Sequence, residues 1–264
     1  MPRFSANLSM LFPEYDFLER FEAAARAGFE AVEYIGPYGY TPETIDKLLK
    51  ENELKQVLFN LPPGNWDAGE RGIAVLPDRV EEFRASVDKA IIYAKALNCE
   101  QVNCLAGIAP SGVASEILDH VFVENLKFAA DRLEKAGIRL LIEPINRHDM
   151  PGFYLNHSRQ ALDIIDRVGS DNLFLQYDIY HMQIMEGDLA RTMENNLARI
   201  AHIQIADNPG RHEPGTGEIN YPFLYAHLDR IGYRGWIGAE YRPKAGTEEG
   251  LGWFAQFKRV RASG

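Results

Sequence analysis

Four polar side chains follow apolar, strand-like runs in the second half of the chain, where each run ends. They are Glu143 after LLI, Asp178 after LFLQY, Gln204 after AHI and Glu240 after WIGA. Carboxylates that lie close together repel one another and cannot all stay ionised without a cation or raised pKa values. Oxygen donors without a cysteine suit a hard divalent ion, Mg²⁺ or Mn²⁺, better than Zn²⁺. If these runs converge, the spacing predicts one divalent-metal site.

A single acid at a strand end has a simpler explanation, because it is commonly a helix N-cap or a solvated loop residue. Glu143 differs in that Pro144 follows it, which biases the glutamate towards extended backbone. Four polar ends on four successive predicted strands are hard to obtain from capping alone. The pattern therefore favours a metal site over four separate caps.

Strand-like runs recur along the chain with helical patterns between them. The strands are predicted at 3–10, 31–35, 55–60, 101–107, 138–144, 173–178, 201–207 and 236–241. The clearest helix starts at TPETIDKLLKEN, with Thr41 as N-cap and Pro42 at the first helical position. Further helices are predicted near 78–97, 113–136, 158–168, 188–199, 222–231 and 248–260, the second of these ending at Gly137 as a C-cap would.

Eight strand–helix units of about 33 residues in a chain of 264 residues are typical of a (β/α)₈ barrel. We therefore predict an α/β fold, a single TIM-barrel domain over residues 1–264, with functional groups at the carboxyl ends of its strands. A doubly wound open sheet would want a Gly-rich phosphate turn after the first strand, and NLSMLFPEYDF has none.

Composition excludes some classes of function. Lys and Arg total 28 and Asp and Glu total 38, so the formal charge is −10, which argues against binding nucleic acid. No apolar stretch approaches the roughly 20 residues of a membrane helix, and the first residues do not read as a signal peptide. We expect a cytoplasmic protein with no membrane or nucleic-acid partner; the sequence leaves homo-oligomerisation open.

Two cationic or titratable side chains are predicted at the same end of the barrel as the acids. His181 lies one turn past Asp178, and Arg211 lies in the Gly-rich loop NPGRHEPGTGEIN. An arginine can bind a carboxylate through two parallel hydrogen bonds, although a surface arginine is the plain alternative. Arg71, in PPGNWDAGERG, and Arg147, in PINRHDMPGF, carry the same ambiguity.

Longer stretches resemble a known family. RFSANLSMLF, FNLPPGNWDAGERGIA, LLIEPINRHDMPGF, QYDIYHMQ, HIQIADNPGRHEPGTGEINY and GWIGAEYRP, in that order, are similar to the hydroxypyruvate isomerases. That family belongs to the xylose-isomerase-like barrel superfamily, together with keto-sugar 3-epimerases. The resemblance covers about residue 3 to residue 255. It implies that Glu143 and Glu240 are the acid–base pair and that both, with Asp178 and Gln204, hold the metal.

The resemblance also implies a substrate and substrate contacts. His181 and Arg211 fall where the related epimerases place substrate-contacting residues, whereas Gln204 stands where those epimerases usually carry a histidine. The implied reaction, part of glyoxylate-type metabolism, interconverts hydroxypyruvate, a small 2-oxo acid, and tartronate semialdehyde (2-hydroxy-3-oxopropanoate). It proceeds by metal-assisted proton transfer through an enediolate.

Three other functions fit the same barrel. A 2-oxo-tetronate isomerase or a ketose 3-epimerase would use the same metal and glutamates, so the catalytic residues do not separate them. An abasic-site endonuclease would need a histidine-rich zinc cluster and a basic surface. Seven scattered histidines and a charge of −10 argue against the endonuclease.

Overall fold

The structure is a computed structural model that describes residues 1–257. Its strands are β1 (Arg3–Asn7), β2 (Ala31–Tyr34), β3 (Lys55–Phe59), β4 (Gln101–Cys104), β5 (Arg139–Ile142), β6 (Leu173–Asp178), β7 (Ile200–Ile205) and β8 (Trp236–Ala239). Its α-helices are α1 (Arg20–Ala27), α2 (Pro42–Glu51), α3 (Val80–Ala96), α4 (Ser115–Lys135), α5 (Ser158–Val168), α6 (Ile179–Met185), α7 (Leu189–Asn195) and α8 (Tyr221–Ile231). Short 3₁₀ helices cover Pro77–Arg79, Leu197–Arg199 and Glu249–Phe257.

The eight strands form one parallel sheet in the order β3-β2-β1-β8-β7-β6-β5-β4. Strands β1 and β8 pair in register, with Ser5 opposite Gly238. Between β3 and β4 the ends meet at a bridge of Asn60 with Asn103, where the Leu61 N–H also donates to the Asn103 carbonyl at 2.8 Å. The fold is therefore the predicted (β/α)₈ TIM barrel.

Local sequence explains several helix boundaries. Thr41 caps α2 as predicted, because its Oγ1 accepts from the Thr44 N–H at 3.3 Å. Gly137, predicted as a C-cap, has a φ of 74°, and α4 ends two residues earlier. The helix predicted over 248–260 is a 3₁₀ helix up to Phe257, and residues 258–260 lie outside the described range.

The structure also differs from the predicted elements. Strands β1 and β4 end three residues earlier than predicted, and helices α1 and α6 fall where none was placed. Within residues 1–257, no helix is both long enough and apolar enough to span a bilayer.

The inside of the barrel is polar, whereas the strand faces that pack against helices are apolar. Side chains alternate along a strand, so every second residue points into the barrel. Gln101 Nε2 lies 3.4 Å from His202 Nδ1, and His202 Nε2 lies 2.8 Å from Glu33 Oε2, so side chains from β4, β7 and β2 meet inside. These buried polar groups support the side chains at the carboxyl ends.

Candidate active site

All six predicted site residues meet at the carboxyl end of the barrel. Glu143 and Glu240 directly follow β5 and β8, and Gln204 lies near the end of β7. With His181 and Arg211 they line one cavity of about 280 Å³. Asp178, the last residue of β6, is fully buried beside it, and one ligand atom from each of Glu143, Asp178 and His181 lies within 4.8 Å of the others.

Asp178 is both a helix N-cap and a residue of the site, two roles that the sequence analysis treated as alternatives. Its Oδ1 caps α6, accepting from the Tyr180 N–H at 2.8 Å and the His181 N–H at 3.4 Å. Its Oδ2 is buried without a hydrogen-bond partner among the described residues. An unpaired buried carboxylate oxygen is costly unless a cation or a donor reaches it. One oxygen therefore fixes the start of the helix, and the other remains available at the site.

The pKa values of the three carboxyl groups are all raised above their usual range. Burial raises the pKa of Asp178 to about 6, although Arg211 opposes the shift. Burial also raises the pKa of Glu240 to about 8, with Arg211 again opposing and Asp178 and Glu33 adding to the rise. For Glu143, burial and the charges of Glu240 and Asp178 raise the pKa well above its usual value. A divalent cation would relieve this repulsion.

Arg211 supplies the positive charge that lies nearest to these acids. Its Nη2 donates to Glu240 Oε1 at 2.9 Å and lies 3.8 Å from Asp178 Oδ2, while Nη1 lies 3.9 Å from Asp149 Oδ2. The guanidinium also stacks over Tyr180, 5.1 Å from the ring centre. Its buried Nε has no partner among residues 1–257. Arg211 therefore partly neutralises the acid cluster and keeps one N–H free.

His181 presents a defined tautomer to the cavity. Asn146 Oδ1 accepts from the His148 and Asp149 N–H groups at 2.9 and 2.8 Å, which fixes the Asn146 amide. Its Nδ2 then donates to His181 Nδ1 at 2.7 Å. Burial and Arg211 lower the pKa of His181 well below its usual value, so the ring is neutral. With Nδ1 accepting, the remaining proton lies on Nε2, which is 3.6 Å from Asp178 Oδ2. Arg211 Nη2 lies 3.4 Å from Nε2, and with this tautomer the two nitrogens are both donors.

Glu33 is a further carboxylate of the site, which the sequence reasoning missed. It is fully buried within β2 and accepts four hydrogen bonds. The donors are Ser5 Oγ (2.7 Å), Asn7 Nδ2 (3.2 Å), His202 Nε2 (2.8 Å) and Gln204 Nε2 (2.8 Å). Burial opposes its charge, but His202, Gln204 and Ser5 outweigh burial and lower the pKa of Glu33. Glu33 is therefore a fixed anion beneath the cavity.

Asn7 and Gln204 connect Glu33 to Glu240. Asn7 Nδ2 donates to Glu240 Oε2 at 3.0 Å, and Gln204 Nε2 donates to the same oxygen. Because Asn7 and Gln204 also donate to Glu33, the position of the Glu240 carboxyl depends on the Glu33 carboxylate.

Gln204 faces the cavity through its nitrogen. Its Oε1 accepts from Gln176 Nε2 at 2.6 Å, so the amide oxygen that was predicted to bind metal is already engaged. A half-turn of the amide would exchange nitrogen and oxygen, and would place the oxygen against Glu33 Oε1. The metal-binding role of Gln204 would have to use the second lone pair of this oxygen, and it stays a prediction.

Other polar residues of the site could have been found from the sequence. Asn7 ends β1 and Asn103 lies near the end of β4, and Asn103 Nδ2 donates to Glu143 Oε2 at 3.1 Å. Both are polar strand ends of the same kind as Asp178. Glu33 was detectable as an acid in the middle of the apolar run AVEYI. Asn146 and Asp149 lie in loops, where neither spacing nor periodicity marks them.

Of the arginines in the loops, Arg71 and Arg242 line the cavity, whereas Arg147 does not. Arg71 lines the cavity, stacks 3.9 Å from the ring centre of Trp66 and donates to the Trp66 and Glu70 carbonyls. Arg242, which the sequence reasoning did not single out, also lines it. Arg147 instead donates to Asn156 Oδ1 at 2.9 Å, away from the cavity lining.

The donor set fits a hard divalent cation. Glu143, Asp178 and Glu240 present carboxylates, one oxygen of Asp178 has no hydrogen-bond donor among the described residues, and burial together with neighbouring acids raises the pKa values of all three. Carboxylate oxygens are the ligands that Mg²⁺ and Mn²⁺ prefer. The Glu143, Asp178 and His181 cluster could hold a metal ion.

The structure is a parallel (β/α)₈ barrel with acids gathered at the carboxyl end, where TIM-barrel enzymes hold their active sites. Residues 21–257 match the model of the xylose isomerase-like TIM barrel family, so the chain belongs to this family.

Individual relatives give a finer picture. The hydroxypyruvate isomerase of Escherichia coli (strain K12) is 55% identical over 258 residues, covering 98% of this chain and 100% of that protein. The 2-oxo-tetronate isomerase of Pectobacterium atrosepticum is 47% identical over 253 residues, covering 96% and 97%. The crystal structure of AP endonuclease, family 2, from Brucella melitensis is 47% identical with a TM-score of 0.96, covering 98% and 100%. The relatives named as isomerases show that the chain is an isomerase, and they confirm the family resemblance.

Proposed function

We propose that this isomerase interconverts hydroxypyruvate and tartronate semialdehyde. The observation that carries the proposal is that Glu143 and Glu240 line the same small cavity, next to an acid cluster suited to a divalent cation. Similarity to the E. coli hydroxypyruvate isomerase supports the choice of substrate. A volume of about 280 Å³ lies near the lower end for ligand pockets, roughly 300–1,000 Å³, which suits a small acid.

The reaction moves one carbon-bound proton between neighbouring carbons. In the forward direction C3 of hydroxypyruvate loses a proton and C2 gains one, while the hydroxyl proton moves from the C3 oxygen to the C2 oxygen. One of Glu143 and Glu240 accepts the proton from C3 as a carboxylate. The other, as a carboxylic acid, donates to C2. General acid–base catalysis of this kind typically contributes about 10²–10⁴-fold to the rate.

The protein environment suits this division of roles. The pKa values of Glu143 and Glu240 are both raised, and the charge of Glu240 adds to the rise at Glu143, so ionisation of one opposes ionisation of the other and one member can accept a proton while the other donates. Glu143 is held by Asn103, and Glu240 by Asn7, Gln204 and Arg211. These bonds limit rotation of both carboxyl groups.

Glu143, Asp178 and Glu240 would hold the divalent metal, with Gln204 as the predicted fourth ligand. The ion would act as a Lewis acid that stabilises negative charge on the substrate oxygens, a contribution of several kcal/mol. Its charge would also release Arg211 from part of its attraction to Glu240 and Asp178. Arg211 could then direct its N–H groups at the substrate.

Substrate recognition falls to His181 and to the cavity's arginines. We assign the Nε2–H of His181 as a donor to a substrate oxygen. Arg211 remains the first choice for the substrate carboxylate. Arg71 is the second, because among the described residues no carboxylate lies within 4 Å of its guanidinium and Trp66 holds it in place.

The test is a turnover assay of the purified chain, loaded with Mg²⁺ or Mn²⁺, on hydroxypyruvate, 2-oxo-tetronate, fructose and an abasic DNA duplex. The proposal predicts the highest kcat/KM on hydroxypyruvate. A higher value on 2-oxo-tetronate would reassign the substrate and keep the isomerase mechanism. Cleavage of the duplex without turnover of any 2-oxo acid would overturn the proposal.

A further inference from the structure

A second cavity lies at the amino end of the barrel, opposite the acid cluster. It has a volume of about 500 Å³ and is lined by residues that begin or precede strands. The first residues of three odd-numbered strands, β1, β3 and β5, are Arg3, Lys55 and Arg139, and all three line it. Arg234, two residues before β8, is a fourth cation. Basic side chains therefore surround this opening of the barrel.

The charge of this cavity is opposite to that of the chain. Among the residues that line it, Glu100 is the single carboxylate, against four cations. The whole chain has a formal charge of −10. A cleft can carry a local field that differs from the net charge, and such a field concentrates ligands of the opposite sign.

Two of the four cations have no carboxylate partner. Glu100 Oε1 accepts from Lys55 Nζ at 2.8 Å, and Glu100 Oε2 lies 3.9 Å from Arg139 Nη2. Within residues 1–257, no carboxylate oxygen lies within 4 Å of the guanidinium of Arg3 or Arg234. Arg3 stacks on Trp236, 4.7 Å from the ring centre, and donates to the Arg234 carbonyl. These uncharged contacts orient Arg3, and its charge also helps to lower the pKa of Glu100, after the larger effects of Lys55 and Arg139.

Stability alone does not account for this arrangement. The amino end of a TIM barrel ordinarily contributes to stability rather than to function, but neighbouring like charges repel and oppose folding. Four cations around one cavity with a single carboxylate are more typical of a binding site than of a structural surface.

We infer that the amino-end cavity binds a compact anion with at least two negatively charged groups, either a phosphate ester or a polycarboxylate. Guanidinium groups bind both kinds of oxyanion through paired hydrogen bonds. The ligand is small, because a chain of charge −10 repels an extended polyanion at long range, whereas a small ion can enter the local field of the cavity. The site is separate from the carboxyl-end cavity and does not depend on the substrate of the enzyme.

The test is isothermal titration of the full chain with pyrophosphate and with citrate, in magnesium-free buffer of low ionic strength. We expect saturable binding of at least one probe with one site per chain, and weaker binding as salt is added. If pyrophosphate binds more tightly than citrate, the ligand belongs to the phosphate class. If citrate binds more tightly, the ligand is a polycarboxylate.

The deciding variant is the double substitution Arg3→Gln with Arg234→Gln, which leaves the Lys55–Glu100 pair intact. It should weaken binding by about tenfold or more, as expected when hydrogen bonds to a charged group are lost. Its matched control, Arg26→Gln with Arg191→Gln, changes two exposed helical arginines and alters the net charge equally.

Thermal unfolding gives an independent reading. The anion should raise the Tm of the wild type and of the control but not of the Arg3/Arg234 variant. Failure of both probes to bind the wild type, or equal binding by the two double variants, would overturn the inference.

Discussion

Replacing Glu33 by glutamine is the sharpest test of how the site is held. Glu33 Oε1 accepts from Asn7 and Gln204, and Oε2 accepts from Ser5 and His202. Glutamine has the same shape but only one oxygen, so two of these four donors lose their acceptor. They then face an N–H group inside the barrel.

The expected loss of stability follows from those two bonds. A hydrogen bond to a charged group contributes about 1.5–3 kcal/mol, so two at the lower figure amount to about 3 kcal/mol of unfolding free energy. Because Asn7 and Gln204 also hold Glu240, kcat should fall as well. Loss of a residue that orients a functional group in this way typically costs about 10–100-fold in activity.

Urea unfolding and steady-state kinetics on hydroxypyruvate measure the two effects separately. The matched control is Glu124→Gln on the exposed face of α4, which should change the unfolding free energy by no more than about 0.5 kcal/mol. The opposing result is an unfolding free energy of Glu33→Gln within about 0.5 kcal/mol of the wild type, together with an unchanged kcat. The hydrogen bonds of Glu33 would then not position Glu240.

Three further predictions concern substrate, metal and pH. Arg211→Ala should raise KM for hydroxypyruvate by at least about tenfold, since a bidentate contact to a carboxylate is lost, and Arg71→Gln should raise it less; unchanged KM in the Arg211 variant would remove that residue from the substrate site. Exhaustive chelation should abolish turnover and added Mg²⁺ or Mn²⁺ should restore it, whereas full activity of metal-free enzyme, checked by elemental analysis, would refute the metal-assisted step. Burial raises the pKa of Asp178 from 3.8 to about 6 and of Glu240 from 4.5 to about 8, so the metal-free folded chain holds protons that the unfolded chain releases. The contribution of these two groups to the unfolding free energy should therefore fall as pH rises from about 4 towards 8. In metal-free urea unfolding the wild type should lose stability relative to Glu240→Gln over this range, and a divalent ion should reduce that loss; a gain relative to Glu240→Gln would contradict the raised pKa of Glu240.

The fold was largely predictable because hydrophobic patterning dominates this chain. All eight strands were found, since each is a short apolar run between turn-forming residues. Helix α6 was missed because Ile179, Tyr180, His181 and Met182 are all buried, which leaves no polar face to reveal a helical period. It also follows β6 without a loop. Strand β4 was overextended because LAG continues the apolar run after the ladder pairing ends.

The candidate site was predictable where its residues end strands and was not where they lie elsewhere. Glu143, Asp178, Gln204 and Glu240 share a position at the carboxyl ends, which the barrel brings together. Glu33 sits in mid-strand, where an isolated acid gives no signal of its partners on β1 and β7. Nor could the sequence indicate that Gln204 would direct its nitrogen to Glu33, because that orientation depends on contacts across the barrel.

The most direct test of the central claim is proton NMR of hydroxypyruvate turnover in deuterium oxide with metal-loaded enzyme. Two carboxyl groups acting on opposite sides predict tartronate semialdehyde that carries solvent deuterium at C2. They also predict that Glu143→Gln and Glu240→Gln each slow product formation by about 10²-fold or more. Circular dichroism should show that both variants keep the wild-type fold. Product formation near the wild-type rate in either of these two variants would contradict the account.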